Sequence, residues 1–413
     1  MRSALFICWI LLGCAVDVNA YRLALTRISN QDKINMDQWK YRLDKSDPQP
    51  VYRAKDKDYY KTEITIGTPE QKFQVVVTTS MPYLWVMDIT CKYPRLSEEC
   101  QDSKCDLGMV CKYFCSSQHC CPEEEKGPFD VNPCDREPYF ISNNSSTYSK
   151  VAGRWSDMVG MGIFGNDTVR LGPLDSNPLT IPGAVFAQAT EVPWFMLGVG
   201  GMLGLGLKEQ AKSPFYPPFQ RAIDLKLAEP FFTVYLNREA GYITYGEVDD
   251  EHCGKEMGSA SLVSSKDYAI KVDAIAVGNT TFNTGWSFHL DMEGIAIVMP
   301  KAIADAIVQA VNAIPYEDGR EYAFECDAAC ELTITINGID YSLHVQDLSE
   351  PRYLNHCLLK IRGTDKSAEW MIGSGFMRRY CHIYDVEKKQ VRFAPAVPQA
   401  ELSSTTEQPG KLD

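Results

Sequence analysis

The sequence lacks a long uninterrupted apolar run anywhere beyond its N-terminal segment. A membrane-spanning helix needs about 18 to 20 such residues. The most apolar later stretch, TEVPWFMLGVGGMLGLGL (190–207), begins with polar residues and is interrupted by glycines. We therefore expect no membrane span.

The sequence has fewer positive than negative charges. It contains 41 Lys and Arg against 54 Asp and Glu, which gives a net charge of −13. Nucleic acids and anionic membrane surfaces attract basic proteins, so neither is expected as a partner. Histidine is scarce as well, and the 6 histidines show no spacing typical of metal ligands. We expect no metal and no other cofactor.

The N-terminus has the pattern of a secretory signal peptide over residues 1–20. Arg2 precedes the apolar run ALFICWILLGCAV, and small residues end the segment at Ala20. We expect cleavage before Tyr21 and a secreted protein. The oligomeric state cannot be read from the sequence.

Cysteines are dense in one region. Of the 15 cysteines, Cys8 and Cys14 lie in the signal peptide, and eight lie between Cys91 and Cys134. Because an exported chain meets oxidising conditions, we predict disulfides there rather than a zinc site, although the sequence cannot give their pairing. Five more cysteines follow, an odd number, so one is free or pairs outside its group. The disulfide candidates are Cys91, Cys100, Cys105, Cys111, Cys115, Cys120, Cys121, Cys134, Cys253, Cys326, Cys357 and Cys381.

Four Asn-X-Ser/Thr motifs fit a secreted glycoprotein. They lie at Asn143, Asn144, Asn166 and Asn279. The first two are adjacent, so we do not expect both to be modified. The polar, unpatterned tail 398–413 is expected to be disordered.

Period-2 alternation and short β-branched runs dominate from YYKTEITIG (59–67) onward, which predicts strands. Two stretches are typical of helices, SPFYPPFQRAIDLKL (213–227) and PKAIADAIVQAVNAI (300–314). The fold class is therefore mostly β.

The chain carries a faint internal duplication. GGMLGLG (200–206) is similar to EWMIGSG (369–375), and a strand meeting TTS near residue 79 is similar to one meeting DME near residue 292. Two apolar residues followed by Gly, twice, predict two similar halves, each passing a strand close to its own loop.

Seven segments in order resemble pepsin-like aspartic proteases over residues 59–397, including GIFGNDTVRLG, GYITYGEVD and WMIGSGFMRRYCHIYDVEKKQVRFAPA. The resemblance implies a bilobal fold, with two β-rich lobes around a cleft. It divides the chain into a leader or pro-segment outside the core (21–52), an N-terminal lobe (53–225) and a C-terminal lobe (226–397). The Cys-rich insertion (91–134) resembles that of nematode members.

In that family each lobe supplies an Asp-Thr-Gly triplet. Two carboxylates placed close together share one proton, so one polarises the substrate carbonyl while the other activates water. The corresponding triplets here are Thr78-Thr79-Ser80 and Asp291-Met292-Glu293. A hydroxyl cannot share a proton with Asp291 or act as the base, so Asp291 is predicted to be a remnant of the site.

The neighbouring residues also depart from the family's Asp-Thr-Gly pattern. Thr79 keeps the family's threonine, but Met292 has no hydroxyl to reciprocate its hydrogen bond. Ser80 and Glu293 replace glycines. Trp155 lies where the resemblance places the flap tyrosine, and it either replaces that tyrosine or lies in a shorter hairpin.

Two functions follow from the resemblance. The first is a secreted, catalytically inactive homologue that binds a peptide or protein ligand in the inter-lobe cleft. The second is an endopeptidase of low activity that uses Asp291 with a non-standard partner acid. Asp88 is considered as such an acid, but the strand pattern carries it away from the cleft.

Overall fold

The computed structural model describes residues 21–27, 59–92, 113–115, 134, 138–157, 159–192, 200–294, 296–316, 321–353 and 355–397. The expected signal peptide (1–20), most of the leader and of the Cys-rich insertion, and the tail (398–413) lie outside the described residues. So do Cys100, Cys105, Cys111, Cys120 and Cys121.

Strands dominate the described residues, as the alternation predicts. The first half contains β1 (Tyr21–Arg27), β2 (Tyr60–Ile66), β3 (Gln71–Thr78), β4 (Leu84–Lys92), β5 (Ser149–Asp157), β6 (Gly160–Leu171), β7 (Leu179–Glu191) and β8 (Gly201–Gly204). Next come β9 (Phe231–Leu236), β10 (Ala240–Tyr245), β11 (Gly258–Ser261), β12 (Ala269–Val277), β13 (Thr280–Leu290) and β14 (Ile297–Met299). The last are β15 (Ile314–Tyr316), β16 (Glu321–Glu325), β17 (Glu331–Ile336), β18 (Ile339–His344), β19 (Ser349–Tyr353), β20 (His356–Leu359), β21 (Ile361–Gly363), β22 (Met371–Ile372), β23 (Tyr380–Asp385) and β24 (Gln390–Pro395).

The helices are short. The α-helices are α1 (Pro218–Asp224), α2 (Lys301–Ala310) and α3 (Ser374–Met377), and 3₁₀ turns cover Ser142–Asn144, Leu174–Ser176, Lys208–Gln210, Val345–Leu348 and Ser367–Glu369. Pro218 opens α1 and Pro300 immediately precedes α2, which is where proline is tolerated because the first helical amides have no partner within the helix. Among the described residues, no helix is long and apolar enough to cross a membrane.

Three sheets contain these strands. The largest has the order β11-β24-β23-β9-β10-β1-β2-β3-β8-β4-β7-β6-β5, so it joins strands from both halves of the chain. A second has the order β18-β17-β12-β13-β22-β14-β21, and a third has β15-β16-β20-β19. The mostly β, bilobal fold is thus confirmed.

The internal duplication is visible in the strand order. In the first half β3 lies parallel to β8, which is antiparallel to β4, and β4 is parallel to β7. In the second half β13 lies parallel to β22, which is antiparallel to β14, and β14 is parallel to β21. Each half therefore carries the same four-strand unit, and the two loops of interest leave the first strand of each unit.

Strand β1 corrects the expectation that residues 21–27 lie outside the core. It pairs with β10 from Tyr21 to Thr26 and with β2 at its end. Leu23 and Leu25 are buried in the main hydrophobic core. The expectation failed because only two apolar residues, one on either side of Ala24, carry the strand pattern among charged neighbours. That residues 21–52 form a leader stays a prediction.

The disulfide predictions are confirmed at several positions. Cys91 bonds Cys134 and so closes the insertion, and Cys115 is also disulfide-bonded. Cys253–Cys381 and Cys326–Cys357 lie in the second half. Cys330 is the free thiol among the described cysteines, which resolves the odd count. A zinc site at Cys91, Cys115 or Cys134 is excluded because these sulfurs are oxidised.

Candidate functional site

Thr78 and Asp291 occupy matching positions at the ends of matching strands. Thr78 is the last residue of β3, and Asp291 directly follows β13. Thr78 Oγ1 accepts a hydrogen bond from the Ser80 amide at 2.9 Å, and Asp291 Oδ1 accepts one from the Glu293 amide at 2.9 Å. The same turn therefore carries a hydroxyl in one lobe and a carboxylate in the other.

The two loops meet at these side chains. Ser80 Oγ donates to Asp291 Oδ1 at 3.3 Å, across a sequence separation of 211 residues. Thr78 is fully buried and Asp291 is 7% exposed. The contact brings the two triplets together, and the group that reaches Asp291 from the first loop is a hydroxyl.

Buried phenols surround the site on the side of the second lobe. Burial raises the pKa of Tyr384 well above its usual range, and the neighbouring Tyr268 and Asp291 raise it further. Tyr268 donates its hydroxyl to the Leu205 carbonyl at 2.9 Å, so it links the second lobe to the first. Both phenols remain protonated, and neither can serve as a base at neutral or acid pH.

The middle residues of the triplets, Thr79 and Met292, do not exchange a hydrogen bond between the two loops. Thr79 is 4% exposed, and its Oγ1 has no hydrogen-bond partner among the described residues. Met292 is fully buried in the main hydrophobic core. A buried hydroxyl without a partner costs about 1 to 3 kcal/mol. The two loops therefore lack a pair of hydroxyl groups at the middle position of their triplets.

Two glycines allow each loop to approach its neighbouring strand. A Cβ at Gly204 would lie 2.4 Å from the Met81 carbonyl oxygen, and a Cβ at Gly373 would lie 2.2 Å from the Gly294 carbonyl oxygen. Both distances are far below van der Waals contact. The close strand-to-loop passage that the two apolar-apolar-Gly motifs predict is present in both halves.

Ser80 and Glu293 differ in their surroundings although both replace glycines of the family pattern. Ser80 is exposed, whereas Glu293 is 6% exposed. Glu293 therefore places a second buried carboxylate two residues from Asp291. Its backbone amide, as described above, binds Asp291 Oδ1.

Trp155 lies on a hairpin formed by β5 and β6, where its strand partner is Gly162. It is 3% exposed, and its ring stacks on Trp85 at a centroid distance of 6.0 Å. Asp157 and Gly160 pair at the end of this hairpin. Whether Trp155 replaces the family's tyrosine or lies in a shorter hairpin stays a prediction.

Asp88 does not face Asp291 as a partner acid. Its Oδ1 accepts hydrogen bonds from the Thr90 amide at 2.8 Å and from the Thr90 hydroxyl at 2.5 Å. Its backbone forms a bridge with Phe140. The carboxylate is thus engaged in a local turn on the outgoing strand.

One group of side chains has metal-ligand geometry. The ligand atoms of Asp249, Glu251 and His252 lie within 4.8 Å of one another. Arg22 of β1 forms ion pairs with both carboxylates, at 3.0 Å in the case of Asp249. The Arg22 guanidinium is thus the cation that these two carboxylates bind in the structure. A cavity of about 500 Å³ near Phe231, Val248 and Ile383 has none of the loop residues in its lining.

The glycosylation candidates differ in exposure. Asn143, Asn144 and Asn279 are exposed, and Asn166 is half-buried in β6. Modification at these sites stays a prediction.

Sequence reasoning missed two contacts at the site. These are the Ser80–Asp291 hydrogen bond and a hydrogen bond from the Tyr83 hydroxyl to Asp157 Oδ2. No periodicity signals either contact, because each joins segments far apart in the chain. The tyrosine in TTSMPYLWVM was the available hint, since a phenol in an apolar strand usually finds a polar partner.

The chain matches the family model described as eukaryotic aspartyl protease over residues 59–396. It is 32% identical over 351 residues to Aspartic protease 2 of Necator americanus, covering 81% of this chain and 82% of that protein. It is 28% identical to Aspartic protease 6 of Caenorhabditis elegans over 82% of each chain. It is 26% identical to Cathepsin E of Mus musculus, over 85% of this chain and 83% of that protein.

Proposed function

Because the chain belongs to the eukaryotic aspartyl protease family, of the pepsin-like type, we propose that it is a secreted homologue that has lost peptide hydrolysis. In its place, it binds an extended peptide or protein segment in the cleft between the lobes. The single observation that carries this proposal is the hydroxyl of Thr78 in the position where the second lobe has the Asp291 carboxylate.

The loss of hydrolysis follows from the chemistry of the pair. The family mechanism needs one carboxyl group that is protonated and one that is ionised, and a threonine hydroxyl supplies neither. General acid-base catalysis is worth about 100-fold to 10,000-fold for each group, and groups that act as a unit lose most of their effect together. We expect turnover near the uncatalysed rate.

Peptide binding does not depend on the carboxylate pair. An extended peptide can pair its backbone with a strand edge and place alternate side chains in pockets. Strand β5 is at the edge of the largest sheet and belongs to the hairpin that carries Trp155. This edge supports the ligand class that we propose.

Secretion is part of the same proposal. The signal-peptide pattern of residues 1–20 and the oxidised cysteines both favour an exported protein. We infer that the working protein is extracellular and free of cofactors, and that at least one of its sequons is glycosylated.

A second candidate function has one observation in its favour. Glu293 is a buried carboxylate in the same loop as Asp291. Two carboxyl groups in one loop would supply one acid and one base for slow proteolysis. In that case Glu293→Gln would abolish turnover to the same extent as Asp291→Asn.

Binding of a labelled peptide with a central statine, a transition-state mimic of peptide hydrolysis, tests the first proposal. Fluorescence anisotropy with the purified secreted chain should show saturable binding that an unlabelled copy displaces. Asp291→Asn should weaken this binding about 10-fold through loss of a charged hydrogen bond. Asp305→Asn is the matched control, because Asp305 is an exposed carboxylate paired with Lys301 on α2.

Each result of this experiment has a meaning. Saturable binding of the statine peptide supports the proposal when the matching peptide, with an ordinary amide in place of statine, stays uncleaved. The absence of binding in every form of the protein would contradict the ligand-binding part. Cleavage of that amide peptide which Asp291→Asn and Glu293→Gln both abolish would favour the second candidate instead.

A further inference from the structure

Tyr83 is a buried phenol that the family mechanism does not use. It lies three residues after Ser80 and is 7% exposed. Its ring stacks on Phe215 at a centroid distance of 4.4 Å and an interplanar angle of 19°. Its hydroxyl donates to Asp157 Oδ2.

Asp157 is the last residue of β5, so this hydrogen bond acts at the turn of the β5–β6 hairpin. Asp157 pairs with Gly160 across the turn. Met161, next to Gly160, also pairs with Glu191 of β7, so the Tyr83–Asp157 bond is an additional, side-chain restraint on this end of the hairpin.

Aromatic packing holds the same hairpin. Trp155 lies 6.1 Å from the Tyr83 ring and 6.5 Å from the Phe215 ring, in edge-to-face geometry in both cases. With Trp85, these rings belong to a hydrophobic cluster separate from the main core. The hairpin is thus joined to the β3–β4 loop by ring contacts and by one polar bond.

The polar bond has a stable donor. Burial raises the pKa of the Tyr83 phenol well above its usual range, and the hydrogen bond to Asp157 raises it further. The phenol therefore stays protonated over the physiological pH range and remains a donor. Hydrogen bonds to an ionised carboxylate are stronger than neutral ones.

The loop that contains Tyr83 also contains Ser80, which binds Asp291. One short segment therefore contacts the second lobe at Ser80 and the hairpin turn at Tyr83. Movement of the hairpin relative to Asp291 must break the Tyr83–Asp157 bond or move this segment.

We propose that Tyr83 is a positioning residue, whose bond to Asp157 and packing against Trp155 hold the end of the β5–β6 hairpin against the β3–β4 loop. A peptide ligand exchanges only after this bond opens. The statement about ligand exchange rests on the proposed cleft-binding function, whereas the statement about the hairpin does not.

Hydrogen–deuterium exchange of the unliganded protein tests the hairpin part. Tyr83→Phe keeps the ring that packs on Phe215 and Trp155 but removes the donor. Amides of residues 155–157 and 160–162 should exchange about 10-fold to 100-fold faster, as expected for loss of a hydrogen bond to a charged group. Tyr380→Phe is the matched control, because it removes a hydroxyl that donates to the Ser342 carbonyl at 3.0 Å in the other lobe.

A double-mutant cycle shows whether the two residues act together. Asp157→Asn alone should accelerate exchange less than Tyr83→Phe, because the amide oxygen still accepts a hydrogen bond. When Asp157→Asn is combined with Tyr83→Phe, the amide exchange rates should differ from those of Tyr83→Phe alone by less than about twofold. Exchange in Tyr83→Phe no faster than in Tyr380→Phe would overturn the proposal.

Binding kinetics with the labelled statine peptide test the ligand part. Tyr83→Phe should raise the association and dissociation rates by a similar factor and leave Kd nearly unchanged, which a purely structural defect would not do. Faster hairpin exchange with unaltered binding rates would overturn the gating role alone. A lack of binding in all variants would instead contradict the proposed cleft function, and the exchange result would stand.

Discussion

Ser80 Oγ lies 3.3 Å from Asp291 Oδ1, and through this contact the loop of the first lobe reaches the carboxylate of the second. A proton-sharing pair would need a carboxyl group at Thr78, two residues before Ser80. The Ser80 hydroxyl can donate a hydrogen bond to Asp291, but it cannot serve as the second acid of a catalytic pair. The remaining features of the site follow from this difference.

Restoring the missing acid should not restore the activity. Thr78→Asp places a carboxylate in a turn that already matches that of Asp291. Met292 and Glu293 still alter the second loop, so we expect recovery of denatured-protein hydrolysis below about 100-fold over wild type. A recovery of several hundred-fold from this single change would show that the neighbouring residues matter little.

The glycines that follow the two apolar pairs should resist substitution. In Gly204→Ala or Gly373→Ala the new methyl group meets a backbone oxygen at 2.4 or 2.2 Å. We expect the free energy of unfolding, measured by urea titration, to fall by about 1 to 3 kcal/mol. Gly200→Ala is the milder control, because its Cβ would meet the Gln74 carbonyl oxygen at 3.1 Å. Equal losses at all three positions would contradict the clash explanation.

Much of this fold was predictable from the sequence because the physical signals are local. β17 follows the alternation of ELTITI, with Leu332, Ile334 and Ile336 buried. The glycines of the two apolar-apolar-Gly motifs predicted the close approaches. Strand β1 was not predicted, because two leucines among charged residues are a weak signal that gains its meaning only from pairing with β10.

The site was predictable in its residues but not in its contacts. Thr78 and Asp291 were recognised by their place in repeated motifs. The Ser80–Asp291 and Tyr83–Asp157 bonds depend on tertiary packing, which local pattern cannot give.

His382 should make the protein less stable in acid. It is fully buried, and burial lowers its pKa to about 3. Because the unfolded histidine binds a proton near pH 6.5 and the folded one does not, the stability is fully present above about pH 6.5 and is lost as the pH falls towards 3. The slope is about 1.4 kcal/mol per pH unit for this one group.

Urea titrations between pH 4 and 7 measure this slope. His382→Phe should reduce it, because a phenyl ring keeps the packing against Phe376 and Phe393 but binds no proton. The variant also loses the hydrogen bond between the imidazole and the Tyr384 hydroxyl, which lowers stability at every pH without changing the slope. His356→Phe, at an exposed position, is the control for loss of an imidazole. An unchanged slope in His382→Phe would rule out this origin of acid instability.

Residues of β1 should contribute to stability as core residues. Leu23 is fully buried between β2 and β10, so Leu23→Ala should lower the free energy of unfolding by about 2 to 5 kcal/mol. Thr26→Ala, at an exposed position of the same strand, should have a small effect. If the two variants unfold alike in a secreted preparation that retains residue 21, β1 is not part of the folded core.

The most direct measurement is peptide release from a denatured protein by wild type and by Asp291→Asn, followed by mass spectrometry between pH 3 and 7. Because Thr78 supplies no carboxyl group opposite Asp291, both proteins should release peptides at the same background rate. Cleavage by the wild type that disappears in Asp291→Asn would contradict the loss of hydrolysis.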